Sequence, residues 1–244
     1  MQQQNNDINI IGKPFEDFLK TFKWLPGEHL TIISPTSSGK TTLALQLCEL
    51  KKKVCFFNIK GVDTTIDTGL KKFNYVTEKN YPFSFQTKLD LLSNKKIRIN
   101  FHNRKYIKDN FDYMISIYRN SFQKLINQTG WTLYFDELQV LADYGMSGMM
   151  KDIQKALILS RSYKTSIISG AQTPVFIPRS STSQAKHIFI SYTKDIENVK
   201  TLALKSGINK NILLQVTSKL KPYQWIHLNE NVRDELTIIQ PPKL

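Results

Sequence analysis

The sequence predicts an α/β fold in which a mainly parallel central sheet is covered by helices on both faces. Short runs rich in β-branched and aromatic residues recur along the chain: LTIIS (30–34), VCFFNI (54–59), WTLYFDE (131–137), TSIISGAQ (165–172) and HIFISYT (187–193). Between several of them the apolar residues return at helical spacing. Strands that alternate with helices form parallel sheets, whose strands are buried on both faces and read as apolar runs. A chain of 244 residues is long enough to bury one core of this kind.

The elements follow in order. Residues 1–10 form a polar head with no predicted structure, and FEDFLKTFKWL (15–25) has the spacing of a short amphipathic helix that packs on the domain's edge. Head and helix make up 1–27, and 28–244 is expected to be a single domain. Pro26 and Gly27 turn the chain into the strand 30–34; TLALQLCEL then opens a helix that Lys51 to Lys53 end before the strand 54–59. Residues 61–95 are poorly periodic and read as an irregular insertion. KIRINF (96–101) alternates like a strand. From Tyr106 to Ile126 a long helix is marked by Ile107, Phe111, Met114, Ile115, Tyr118, Phe122 and Leu125, with Gly130 as a stop. A strand ending in two acids (131–137), a helix (149–163), the strands 165–172 and 187–193, a helix (195–206) and late strands around YQWIHL and ELTIIQ complete the chain.

Charge is the strongest compositional feature: 34 Lys and Arg against 20 Asp and Glu, a net +14, which favours a polyanionic partner. No apolar run approaches the roughly 20 residues that a membrane-spanning helix needs. MQQQNNDINI lacks the basic start and apolar core of a secretory signal, so a cytoplasmic setting is expected. Cys48 and Cys55 have no metal-ligand spacing and are expected in the core.

The chemistry is concentrated at SPTSSGKTT (34–42), between an apolar strand and a helix. A phosphate-binding loop works because backbone N–H groups converge on anionic oxygens at a helix amino terminus, while a lysine adds charge and a hydroxyl reaches Mg²⁺. Ser34, Pro35, Thr36, Ser37, Ser38, Gly39, Lys40, Thr41 and Thr42 are therefore the expected ATP-binding loop. In it Gly39 allows close approach, Lys40 meets the β- and γ-phosphates and Thr41 is a magnesium ligand. Ser34 stands where GxxxxGK[ST] has its first glycine, a departure that serine tolerates if its φ is negative. LYFDE delivers Asp136 and Glu137 to the carboxyl end of a strand, where open α/β sheets bind ligands. Asp136 is expected on the magnesium side, and Glu137 as the residue that polarises the attacking water. TSIISGAQTP ends its strand in Gln172, whose amide can report on the γ-phosphate.

In this order SSGKT, LYFDE, RSYKTSIISGAQTP, VFIPRSS and HIFISYT, over roughly 28–195, the chain resembles the HerA/FtsK branch of the RecA-like ATPases, in particular the genome-packaging ATPases of tailless, membrane-containing viruses. Gln172, Pro174, Ile177 and Pro178 match the family's pattern, while Thr173 replaces its usual arginine. The resemblance implies a homo-oligomeric ring, with a hexamer favoured, that drives double-stranded DNA through a central pore, in the host cytoplasm or at a virion vertex beside a capsid protein. It also implies an arginine reaching across from a neighbouring subunit, with Arg161 the first choice and Arg179 the second. The basic stretch 94–108 and the loop 180–186 are the candidate DNA contacts. The competing readings are a filamentous-phage morphogenesis or DNA-transfer ATPase of the same family, a DNA-independent P-loop kinase, and a basic structural protein with an inactive loop.

Overall fold

The computed structural model describes residues 8–59, 64–78, 96–101, 111–143, 148–159 and 161–240. In chain order the elements are β1 (Asn9–Pro14), α1 (Phe15–Thr21), β2 (His29–Ile33), α2 (Lys40–Cys48), β3 (Lys53–Phe57), α3 (Thr64–Lys72), β4 (Val76–Glu78) and β5 (Ile97–Phe101). They continue with α4 (Phe111–Ile126), β6 (Trp131–Phe135), α5 (Leu138–Asp143), α6 (Met149–Leu159), β7 (Ser166–Ala171) and α7 (Arg179–Ser183). The last are β8 (Ala185–Ile190), α8 (Ile196–Ser206), α9 (Lys210–Thr217), β9 (Trp225–Asn229) and β10 (Val232–Gln240).

The strands form one sheet in the order β1-β10-β9-β8-β2-β7-β6-β3-β5-β4. All neighbours are parallel except β9, which runs antiparallel to β8 and β10. The expected α/β class is thus what the chain adopts. β7 lies between β2 and β6, so the ends of three adjacent parallel strands point their following loops at one place.

Alternation along the strands divides the core. Cys55 and Phe57 of β3 and Leu133 and Phe135 of β6 face the layer that holds α4 and α6, where the Phe57 and Phe135 rings stack 4.7 Å apart. Val54, Phe56 and Tyr134 face the opposite layer with α1, α2 and α3. β2 and β6 are buried at every position, which is why they appear as continuous apolar runs.

Several elements differ from the sequence reading. Asn9 and Ile10, placed in a structureless head, belong to β1; its side chains are mostly exposed and its order comes from parallel backbone pairing with β10. The stretch read as irregular contains α3 and β4 among its described residues, with 61–63 and 79–95 outside them. α3 is held by Ile66 and Leu70, one helical turn apart, and Gly69 lets it close on α2, since a Cβ there would come 2.8 Å from Leu45 Cδ1. The helix expected at 149–163 stops at Leu159, and Arg161 to Lys164 form a turn in which Lys164 takes a φ of 53°. The beginning of the helix predicted from Tyr106 lies outside the described residues, and α9 was not foreseen.

Candidate functional site

The loop after β2 takes its left-handed backbone away from Ser34. Ser34, just past β2, still bonds the neighbouring strand: its N–H donates to Ala171 O at 3.1 Å, it is buried, and it is not among the residues with positive φ. The left-handed positions are instead Ser37 (φ 63°) and Gly39 (φ 87°). The absent first glycine is therefore harmless, because the backbone does not need one there. Ser38 Oγ donates to Pro35 O at 2.6 Å and tightens the loop. α2 starts at Lys40 with no side-chain cap, so the first-turn N–H groups are left to a ligand or solvent.

Against this loop stand the acids that follow β6. Lys40 Nζ lies 2.8 Å from Glu137 Oε1, with both side chains almost fully buried. Thr41 Oγ1 donates to Asp136 Oδ1 at 2.8 Å, and the Tyr134 hydroxyl donates to the same oxygen. Burial, and then the adjacent Asp136 carboxylate, hold the Tyr134 hydroxyl well above its usual range, which keeps it a donor. Gln172 Nε2 donates to Glu137 Oε1 at 3.1 Å, and Thr36 Oγ1 donates to Gln172 Oε1 at 3.2 Å. The expected loop, both acids and the glutamine thus meet at one place, in two hydrogen-bonded sets joined only through the chain, one on Asp136 and one on Glu137.

Three residues that the sequence reading did not single out complete the arrangement. Gly170 lets β7 approach β6: a Cβ there would sit 2.6 Å from Asp136 O and 2.9 Å from Phe135 O, contacts with backbone that cannot give way. A glycine inside an apolar strand is the sequence mark of such an approach. Gln139 Oε1 accepts from the N–H groups of Gln172 (3.1 Å) and Thr173 (3.4 Å) and fixes the start of the following segment. Lys205 Nζ donates to Pro174 O (2.5 Å) and Ile177 O (3.1 Å) and fixes its far end; burial lowers its pKa. No local pattern marks Gln139 or Lys205, because both act on backbone distant in sequence.

Arg161 and Arg179 do not join the cluster. Arg161 is exposed beside Gly27, where the parallel strands begin, whereas the phosphate loop follows the end of β2. The five residues of β2 span about 16 Å. Arg161 therefore cannot serve the loop of its own subunit. Arg179 is exposed at the start of α7.

The two candidate DNA segments also change. Of 94–108, only 96–101 are described, and Arg98 there is buried, with Nε 3.1 Å from Glu49 Oε1 and Nη2 3.1 Å from Cys48 O. Arg98 serves the carboxyl end of α2, where carbonyl groups want cations. Lys96 lies 3.6 Å from Glu49 Oε2. Residues 180–186 are not an open loop: they run through α7 into β8, Ser181 and Thr182 are buried, and Lys186 bonds Asn231 and lies 3.6 Å from Glu230. Among the described residues no helix is long and apolar enough to cross a membrane.

The donor set fits a magnesium nucleotide. Thr41 and Asp136 offer hard oxygen atoms at adjoining positions, which suits Mg²⁺, and Lys40 adds a positive charge beside an uncapped helix start.

No protein-family model matches the sequence, and no curated protein matches it. Solved structures do. The genome-packaging NTPase B204 from Sulfolobus turreted icosahedral virus 2, in complex with AMPPCP, aligns over 90% of this chain and 100% of its own at 15% identity and a TM-score of 0.57. VirB4 of Thermoanaerobacter pseudethanolicus aligns over 88% and 90% at 8% identity and a TM-score of 0.64. The pCW3 conjugation coupling protein TcpA aligns over 88% of this chain and 60% of its own at 13% identity and a TM-score of 0.50. The chain shares the RecA-like fold of these structures.

Proposed function

We propose that the chain is an ATP-hydrolysing motor that moves double-stranded DNA, with the task of driving a viral genome into a preformed capsid. One observation carries the reading: Thr41 on Asp136, and Lys40 and Gln172 on Glu137, form two hydrogen-bonded sets side by side at the ends of three neighbouring parallel strands. A bare phosphate loop would need only Lys40 and Thr41. The buried acid and amide add what hydrolysis requires.

In this reading ATP is held by the loop from Ser34 to Thr42, with Lys40 on the β- and γ-phosphates. Lys40 then leaves Glu137, whose carboxylate is released to orient the attacking water and take its proton. Gln172, bonded to Glu137 Oε1, stands where its amide can answer the γ-phosphate. Mg²⁺ held by Thr41 and Asp136 would neutralise phosphate charge. Tyr134 and Gly170 keep Asp136 in place for that role.

The structural neighbours named for genome packaging and for conjugation favour DNA as the polymer moved, and the net charge of +14 agrees with a polyanion. The placement of Arg161 away from its own loop favours a ring in which a neighbour's arginine completes each site, with a hexamer the favoured size. Such a motor works at a capsid vertex, in the host cytoplasm or on the virion. The test is ATP turnover with and without long double-stranded DNA, for the wild type, Lys40→Ala and Glu137→Gln. DNA should stimulate the wild type and neither variant should turn over; turnover indifferent to DNA would point to a DNA-independent NTPase.

A further inference from the structure

We propose that Tyr223 is the platform on which the nucleobase of the bound nucleotide stacks, an inference that rests on the phosphate site described above. Tyr223 follows Pro222 in a turn closed by the Gln224 N–H donating to Lys221 O at 3.0 Å. Pro at the second position and a residue of positive φ at the third define a type II turn, whose third position belongs to glycine. Here Tyr223 occupies it, with φ 65°. A bulky aromatic residue in the left-handed region is a genuine outlier, and such strain persists where surrounding structure imposes it. That structure is present: the Lys221 N–H donates to Gln224 Oε1 at 2.8 Å, and the next residue, Trp225, is fully buried at the start of β9.

The result of this conformation is the position of the ring. It lies against Gly39, the left-handed glycine of the phosphate loop: a Cβ on Gly39 would come 3.0 Å from Tyr223 Cδ1 and 3.6 Å from Cε1. Tyr223 is still 39% exposed. A rigidly mounted aromatic residue thus meets solvent at the lip of the loop. Lys40, Thr41, Asp136, Glu137 and Gln172 are suited to phosphate, metal and water, and none of those interactions addresses a base. A flat π-surface one residue from Lys40 matches the part of the nucleotide that the cluster leaves unaddressed. Stacking is tolerant of base identity, so the site takes nucleoside triphosphates with little choice of base, ATP and GTP alike.

The experiment compares binding of Mg·ATP, Mg·GTP and inorganic tripolyphosphate to the wild type, Tyr223→Gly and Tyr223→Trp by calorimetry. Tyr223→Gly is the informative variant, because glycine suits the left-handed turn and removes only the ring. Loss of a stacked base corresponds to roughly 5- to 100-fold weaker binding. The expected result is a loss in that range for ATP and GTP with Tyr223→Gly, an unchanged tripolyphosphate affinity, and retained ATP affinity with Tyr223→Trp. Equal losses for ATP and tripolyphosphate would make Tyr223 a brace for Gly39 and overturn the proposal, as would no loss at all. Failure of the wild type to bind either ATP or tripolyphosphate would remove the phosphate site itself, and the stacking role with it.

Discussion

Lys40 and Glu137 form an ion pair 2.8 Å long with almost no exposure to water. Desolvation largely offsets the attraction in such a pair, so its net contribution to stability is small, whereas removal of one partner strands the other charge. Lys40→Met should therefore lower stability by about 3 kcal/mol, and adding Glu137→Gln should recover most of that without restoring turnover. Thermal unfolding and ATPase assays of the single and double variants check this; additive destabilisation would sink it.

Gly170→Ala places a methyl group 2.6 Å from Asp136 O. Since backbone surrounds it, the strands must separate, at a cost of about 1–3 kcal/mol. The displaced segment carries both acids, so turnover should fall far more than tripolyphosphate binding, which rests on the loop. Equal losses of the two would show that the glycine serves folding alone.

Restoring the usual glycine at the loop's entrance should bring no benefit. Ser34 needs no left-handed backbone, and Ser34→Gly should cost about 0.5–1 kcal/mol through chain entropy. Ser37 does occupy that region, where an L-residue carries about 1–2 kcal/mol of strain, so Ser37→Gly should leave stability unchanged or slightly raised. Chemical denaturation of the two variants should separate them in this order.

Acid should destabilise the fold through His29. Its buried Nδ1 accepts the Ile167 N–H at 3.0 Å, and desolvation, followed by repulsion from Arg161, lowers its pKa to about 4. Because the folded value lies below the ordinary 6.5, the unfolded chain binds this proton first as pH falls. The stabilisation is complete above about pH 6.5 and is lost as pH drops through about 4, amounting to roughly 3 kcal/mol. His187, also lowered to about 4 by burial, acts in the same window. Unfolding curves from pH 7.5 to 4 should be flatter for His29→Gln, whose amide oxygen can still accept from Ile167.

If Arg161 completes a neighbour's site, Arg161→Ala alone should lose turnover, and mixing it with Lys40→Ala should restore part of it in the subunit pairs that keep Lys40 on one side and Arg161 on the other. A wild-type rate for Arg161→Ala alone would transfer the role to Arg179.

Much of the cluster was legible in the sequence because each part is announced locally: SSGKT between a strand and a helix, two acids after LYF, a glutamine after SIISGA. What escaped depends on distant partners. β1 has no apolar stripe and is ordered by the backbone of β10, which no local window contains. Arg98 adds to a basic count yet spends its charge on the end of α2, since composition cannot say which cations are already paired. Tyr223 looks like an ordinary turn residue until its ring is found against Gly39. Gly170 was open to reading, as a glycine within a strand, and only the closeness of Asp136 gives it meaning.

The segment from Gln172 to Ile177 is tied at both ends, to Gln139 of α5 and to Lys205 of α8. It is a strap buckled to two helices. A shift of the Gln172 backbone must either break those buckles or drag the helices along, so a main-chain movement that begins beside Glu137 would be felt at α8.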